Sequence, residues 1–175
     1  IMKVFTDVSL KSSDLSVVIS NMLGDYVKSV GVKSVKLISN GVDTNAIHPL
    51  NIEKAKGLLG LDSESFVIGY IGGVHHLLKM DMVLKALSFL IKRGYKNIKL
   101  VVAGSGPSLD SFMQLAHKLK IDENTSFVGR IPRNEVLLYL NAMNVGIIPM
   151  KLTEVTNVIR PLKLFEYLAC GKPVI

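Results

Sequence analysis

The stretch FVIGYIGGVHHLLKMDMVLKALSFLIKRGYKNIKLVVAGSGP, residues 66–107, decides the fold. It opens with an apolar run, residues 66–72, that ends in Gly72, and closes with another, residues 98–103, that Gly104 follows. Both runs are short and rich in β-branched residues, as strands buried on both faces are. Between them, residues 82–93 carry apolar side chains at helical spacing. Two buried strands joined by a helix lie parallel, because the crossover returns the chain to the end from which it started. Working outward, the pattern repeats: helix 109–119, strand 125–128, helix 134–143, strand 145–149, helix 161–170 and a closing strand at Val174. Upstream come a short helix at 52–59 and an earlier unit of strand 16–20, helix 22–30 and strand 35–39. The expected fold is α/β: a parallel sheet with helices on both faces. The turn Asn40 Gly41 Val42 Asp43 and the polar stretch to His48 Pro49 mark a domain boundary.

Composition narrows the class. Apolar residues make up 49% of the 175, with a mean hydropathy of +0.38, as buried parallel strands require. The longest apolar stretch, residues 66–74, is far shorter than the roughly 20 residues that cross a bilayer. No signal peptide is read at the start, and the single Cys170 cannot form an intrachain disulfide. A cytoplasmic protein is expected, with the inner face of the membrane as a second, peripheral location. Cys170, between Ala169 and Gly171, reads as a small packed residue. The net charge of +7 favours an anionic ligand. Nucleic acid is not expected, because lysines and arginines are scattered and not interleaved with aromatics. Ile1 at the start and Lys172 Pro173 Val174 Ile175 at the end lead us to expect part of a longer chain, its last strand unfinished.

In parallel sheets of this kind, ligands bind beyond the C-terminal ends of the strands. The loop after the first strand of the deciding stretch, Gly72 Gly73 Val74 His75 His76 Leu77 Leu78 Lys79, offers backbone approach at its glycines and a point charge at Lys79. His75 and His76 are adjacent and diverge in an extended loop, so no metal site is expected there. Gly104 Ser105 Gly106 Pro107 lacks the third glycine of a dinucleotide fingerprint, with Leu109 in its place. Ser108 reads as a helix N-cap. The last loop, residues 157–173, is the most informative. Pro161 suits a first helical position, leaving the amides of Leu162 and Lys163 free at the positive end of the dipole. Glu166, one turn on, suits two ribose hydroxyls. A plainer reading makes Lys163 and Glu166 a surface pair worth about 0.3 kcal/mol, but Glu166 lies among Phe165, Leu168 and Ala169.

Taken in order, five segments resemble the GT-B retaining glycosyltransferases of family four, the glycosyl transferases group 1 type. They are Asn40 Gly41 Val42 Asp43 with His48 Pro49; Gly69 Tyr70 Ile71 Gly72 with Lys79; Val102 to Pro107; Phe127 Val128 Gly129 Arg130 Ile131 Pro132; and Pro161 to Ile175. The resemblance implies two Rossmann-like lobes. Residues 1–39 would be the C-terminal part of the acceptor lobe, 40–49 the interlobe linker, and 50–175 the nucleotide-sugar-binding lobe, truncated at its C-terminus. Carried over by position, Gly72, Gly73 and Lys79 would meet the diphosphate, Gly129, Arg130 and Ile131 would flank the base, Leu162 and Lys163 would hold phosphate through their amides, and Glu166 would bind ribose. Three positions depart from the pattern. Gly73 replaces the usual arginine, Met80 the usual glycine after the lysine, and Val158 the first acid of the Glu-x7-Glu pair, for which Glu154 or Asn157 would have to substitute.

The reaction implied is transfer of a sugar from a nucleotide-diphosphate sugar to a glycan, lipid or small-molecule acceptor, with retention and with neither cofactor nor metal. The fragment alone is expected not to turn over. Two other readings share the fold: a nucleotide-sugar epimerase and a catalytically degenerate nucleotide-sugar-binding lobe. A nicotinamide oxidoreductase is weakened by the failed glycine fingerprint.

Overall fold

Sheet register and helix placement follow from which face of each strand is apolar. The computed structural model of the protein describes residues 2–175, with side chains described outside residues 2–5 and 155. The chain forms two compact units: Ile1–Gly41 with Leu152–Leu162, and Val42–Lys151 with Lys163–Ile175.

In the first unit, strands β1 (Ser16–Val18) and β2 (Val35–Leu37) pair in parallel across helix α2 (Asn21–Ser29). Val18, Val27 and Val32 form its core. Ser20 caps α2 by accepting from the Leu23 amide at 3.2 Å. A helix precedes them, α1 (Met2–Lys11), where no element was expected; among the described residues its Leu10 packs on the valine cluster. Segment 152–162 groups with this unit, although sequence order places it in the second lobe. The Ser20 hydroxyl donates to the Val158 carbonyl at 2.8 Å, and the Asn40 amide donates to the Arg160 carbonyl at 2.7 Å. Within the segment Thr153 and Thr156 cap one another at the start of a short helix, α7 (Glu154–Val158), also unforeseen because Thr stands where a capping box usually shows Glu or Gln.

The second unit adds α3 (Ile52–Leu58), β3 (Phe66–Ile71), α4 (Met80–Lys92), β4 (Ile98–Ala103), α5 (Leu109–Lys118), β5 (Thr125–Gly129), α6 (Val136–Ala142), β6 (Val145–Gly146) and α8 (Leu162–Ala169), whose first residue falls in the first unit. The sheet order is β5-β4-β3-β6, all parallel. Alternation along the strands sends Tyr70, Leu100 and Val102 to one face, against Leu84 and Leu87 of α4 and Phe112 and Ala116 of α5. Ile71 and Ala103 face the other way, against Leu140 of α6, Tyr167 of α8 and Cys170 just beyond it. Helices on both faces thus follow from the two-residue period of the strands.

Two local readings change. Strand β6 is shorter than residues 145–149, because the chain turns off to bridge Met150 with Leu78 while Pro149, which has no N–H, accepts from the Lys79 amide at 2.6 Å. Ser108 precedes α5, but its side chain caps no amide; its carbonyl accepts from the Ser111 hydroxyl at 2.8 Å.

Candidate functional site

The loops leaving β3, β4 and β5 are bound to one another at the C-terminal edge of the sheet. Gly72 donates to the Ala103 carbonyl at 3.0 Å, Gly104 to the Gly129 carbonyl at 2.7 Å, and Val74 to the Ser105 carbonyl at 3.0 Å. Gly72 has φ +140°, and a Cβ on Gly104 would overlap the Gly72 carbonyl; both positions need glycine for that reason. A cleft of about 280 Å³ opens between these loops, lined among others by Gly72, Gly73, Gly104, Ser105, Arg130 and Ile131. A larger groove of about 490 Å³ lies between α5 and the edge strand β5, at Met113, His117 and Phe127. No glycine turn lines it, so the smaller cleft is the candidate site.

Helix α8 is fastened beside it through two tyrosines. The Ile71 amide donates to Tyr167 Oη at 3.0 Å, inside the core. Lys163 Nζ donates to Tyr70 Oη at 2.8 Å and stands 4.1 Å from the centre of that ring. Tyr70 Oη in turn donates to the Gly73 carbonyl at 2.7 Å. Burial raises the Tyr70 phenol to about 12 and lowers the Lys163 amine to about 8, with Glu166 opposing the shift. Burial also raises the Glu166 carboxyl, with Lys163 and Arg133 pulling it back. Among the described residues, the half-buried Glu166 carboxylate makes no hydrogen bond or ion pair, so its acceptor sites are open. His75 is lowered, by burial first and then by Lys163 and His76; its Nδ1 accepts from the Leu77 amide at 3.3 Å.

Of the residues singled out from sequence, Gly72, Gly73, Arg130 and Ile131 meet in the cleft, and Gly129 adjoins it through its carbonyl. Lys163 stands against Gly72, and Glu166 follows one turn along α8. Lys79 is exposed at the start of α4. Asn157 and Leu162 belong to the first unit. Tyr70 and Tyr167 were missed, because a tyrosine in an apolar run reads as core; the signal available was that a buried phenol needs a partner. Among the described residues no group of three or more His, Cys, Asp or Glu is placed to hold a metal ion, and no helix is long and apolar enough to cross a membrane.

A parallel sheet with glycine turns at its strand ends and helices on both faces is an α/β fold of the GT-B type. The family of glycosyl transferases group 1 matches residues 51–175, and the chain belongs to that family. It is 28% identical over 150 residues to a D-inositol 3-phosphate glycosyltransferase of Saccharomonospora viridis, covering 81% of this chain and 34% of that protein. It is 27% identical over 165 residues to an alpha-monoglucosyldiacylglycerol synthase of Streptococcus pneumoniae, covering 91% and 35%. The chain therefore spans about a third of the length of these curated relatives. In fold it is similar to sucrose-phosphate synthase from Thermosynechococcus elongatus, with a TM-score of 0.80 at 21% identity over 97% of this chain and 42% of that one. It is also similar to Anabaena Alr3699/HepE in complex with UDP and glucose, with a TM-score of 0.74 at 18% identity over 99% and 47%.

Proposed function

We propose that this chain carries the nucleotide-sugar-binding lobe of a retaining glycosyltransferase that moves a sugar from a nucleoside-diphosphate sugar to a glycan, lipid or small-molecule acceptor. One observation carries the reading: glycine turns from three adjacent parallel strands converge with Lys163 and Glu166 of α8 on one edge of the sheet. Loop amides and cations suit a diphosphate, and an open carboxylate suits two vicinal hydroxyls, which are donors. On this reading Gly129, Arg130 and Ile131 flank the base, and the α8 amides of Leu162 and Lys163 meet phosphate. Breaking the bond from the sugar to the diphosphate leaves negative charge on the departing group, which fixed cations stabilise without reorganisation. The neighbour solved with UDP and glucose supports a nucleotide donor. Residues 1–39 are read as the end of the acceptor lobe and 40–49 as the linker.

The test is a thermal-shift panel of UDP, GDP and ADP, each beside its nucleoside. A ligand that binds only the folded chain raises its melting temperature, so one diphosphate should do so well beyond its nucleoside. EDTA should leave that shift unchanged, since cations and amides are assigned the role of a metal. No shift with any diphosphate overturns the reading, and a shift abolished by EDTA and restored by magnesium overturns its metal-free form. Lys79→Ala should weaken the diphosphate only about fivefold, because an exposed lysine is screened by solvent. The nucleoside should be unaffected in the same titration.

A further inference from the structure

Lys163 is a charged group of the second unit that its surroundings balance poorly. Its ammonium lies mostly inside the protein, yet among the described residues it makes one hydrogen bond, to Tyr70, and no ion pair. An ammonium carries three donors, so two are unused. The Tyr70 ring beneath it replaces only part of the lost hydration. Glu166, one turn along the same helix, is beyond ion-pair distance. The ammonium also lies 2.7 Å from the point where a Cβ on residue 72 would stand. Only glycine leaves it that place, and Gly72 is a wall of the cleft. A cation short of partners, set against a glycine turn that opens on a cleft, is arranged for an anion.

We propose that Lys163 Nζ is the cation that receives the diphosphate in the Gly72 cleft, and that the Tyr70 hydroxyl holds it in place until the ligand arrives. The inference rests on the nucleotide-sugar reading above and deepens it, assigning the diphosphate to one ammonium and giving Tyr70 a role that reading leaves open. Tyr70 is a positioning residue: its hydroxyl accepts from Lys163 and donates to the Gly73 carbonyl, tying the cation to the loop that lines the cleft.

A pH signature follows. With the amine lowered to about 8 by burial, the free protein is charged at Lys163 below that pH and loses the charge above it. An adjacent diphosphate favours the charged form, so binding takes up a proton on the alkaline side, and affinity falls as pH rises. The groups facing Nζ are Tyr70 on β3, His75 on the loop after it and Glu166 on α8. Tyr70 titrates above this window and His75 below it.

The experiment is calorimetric titration of the full chain with UDP, GDP and ADP and their nucleosides from about pH 7 to about pH 9, above the phosphate's own titration near 6. The diphosphate should bind with proton uptake, visible in buffers of different ionisation heat, and should weaken toward pH 9. Lys163→Met should lower its affinity about ten- to a hundredfold at pH 7, leave the nucleoside unchanged and flatten the pH profile. Lys163→Arg should keep the affinity with a flat profile, since its charge does not titrate there. Unchanged diphosphate affinity in Lys163→Met, or equal loss for the nucleoside, overturns the proposal. Should that variant not fold, a wild-type pH slope in Lys163→Arg overturns it instead. If none of the three diphosphates binds the wild-type chain, the nucleotide-sugar reading itself fails and takes this inference with it.

Discussion

Glu166→Gln is expected to lower nucleoside-diphosphate affinity by about 1.5–3 kcal/mol, ten- to a hundredfold, without destabilising the chain. Gln keeps the shape of the side chain and removes the charge that makes its hydrogen bonds strong. The stability half follows from the environment. The carboxyl is half-buried and meets no donor among the described residues, and burial raises its pKa. A carboxyl that holds its proton more tightly folded than unfolded favours folding when protonated, and that advantage is lost as pH rises through the folded value. At neutral pH the charge is therefore a cost to folding, and Gln removes it, so the melting temperature should hold or rise. A 2′-deoxynucleoside diphosphate should bind the native protein less well and lose little more in the variant, because both changes remove one interaction. Independent losses, or an unfolded variant, would make Glu166 a structural residue. A functional group that costs stability where no ligand is bound is a common pattern at binding sites.

The second large effect lies away from the cleft, at Asn141. This residue is fully buried on α6. Its Oδ1 accepts from the Leu50 amide at 2.7 Å, and its Nδ2 donates to the carbonyls of His48 at 3.0 Å and Leu137 at 2.9 Å. The same amide lies 3.6 Å from the buried Cys170 sulfur, and the Asn141 carbonyl accepts from Lys172 Nζ at 2.8 Å. One side chain thus moors residues 48–50 to α6 and to the end of α8. Ala would leave the Leu50 amide without its partner and the His48 carbonyl with only the weak Cys170 thiol donor at 3.5 Å. The expected cost is about 3 kcal/mol, at the high end for one substitution. Urea unfolding should show a lower midpoint with an unchanged slope, while nucleotide affinity of the folded fraction stays near native. A loss below about 0.5 kcal/mol, the size of an ordinary surface change, would mean that water satisfies those groups.

The two substitutions separate what Asn141 and Glu166 do. Asn141 is expected to carry stability and does not line the cleft, whereas Glu166 is expected to carry affinity and nothing that holds the fold. Met143 and Tyr167, which flank them in the same core cluster, show why a change at either position has to be checked for folding before its binding is read.

Much of this protein is decided by residues close together in sequence. Continuous apolar runs that end in or just before glycine, separated by helical periodicity, set the order of strands and helices and their parallel sense, because buried parallel strands and their crossover helices demand those local patterns. The strand-end glycines and the α8 segment from Pro161 point to the edge of the sheet on which the candidate site lies. The tertiary structure alone decided the rest. Tyr70 and Lys163 are 93 residues apart, Leu50 and Asn141 are 91 apart, and Ser20 and Val158 are 138 apart. No periodicity links such positions, so the burial of Lys163, the mooring by Asn141 and the transfer of segment 152–162 to the first unit were not legible. Spacing reports which face of its own element a residue occupies; which distant group it meets, and whether water is left between them, is settled only when the elements pack.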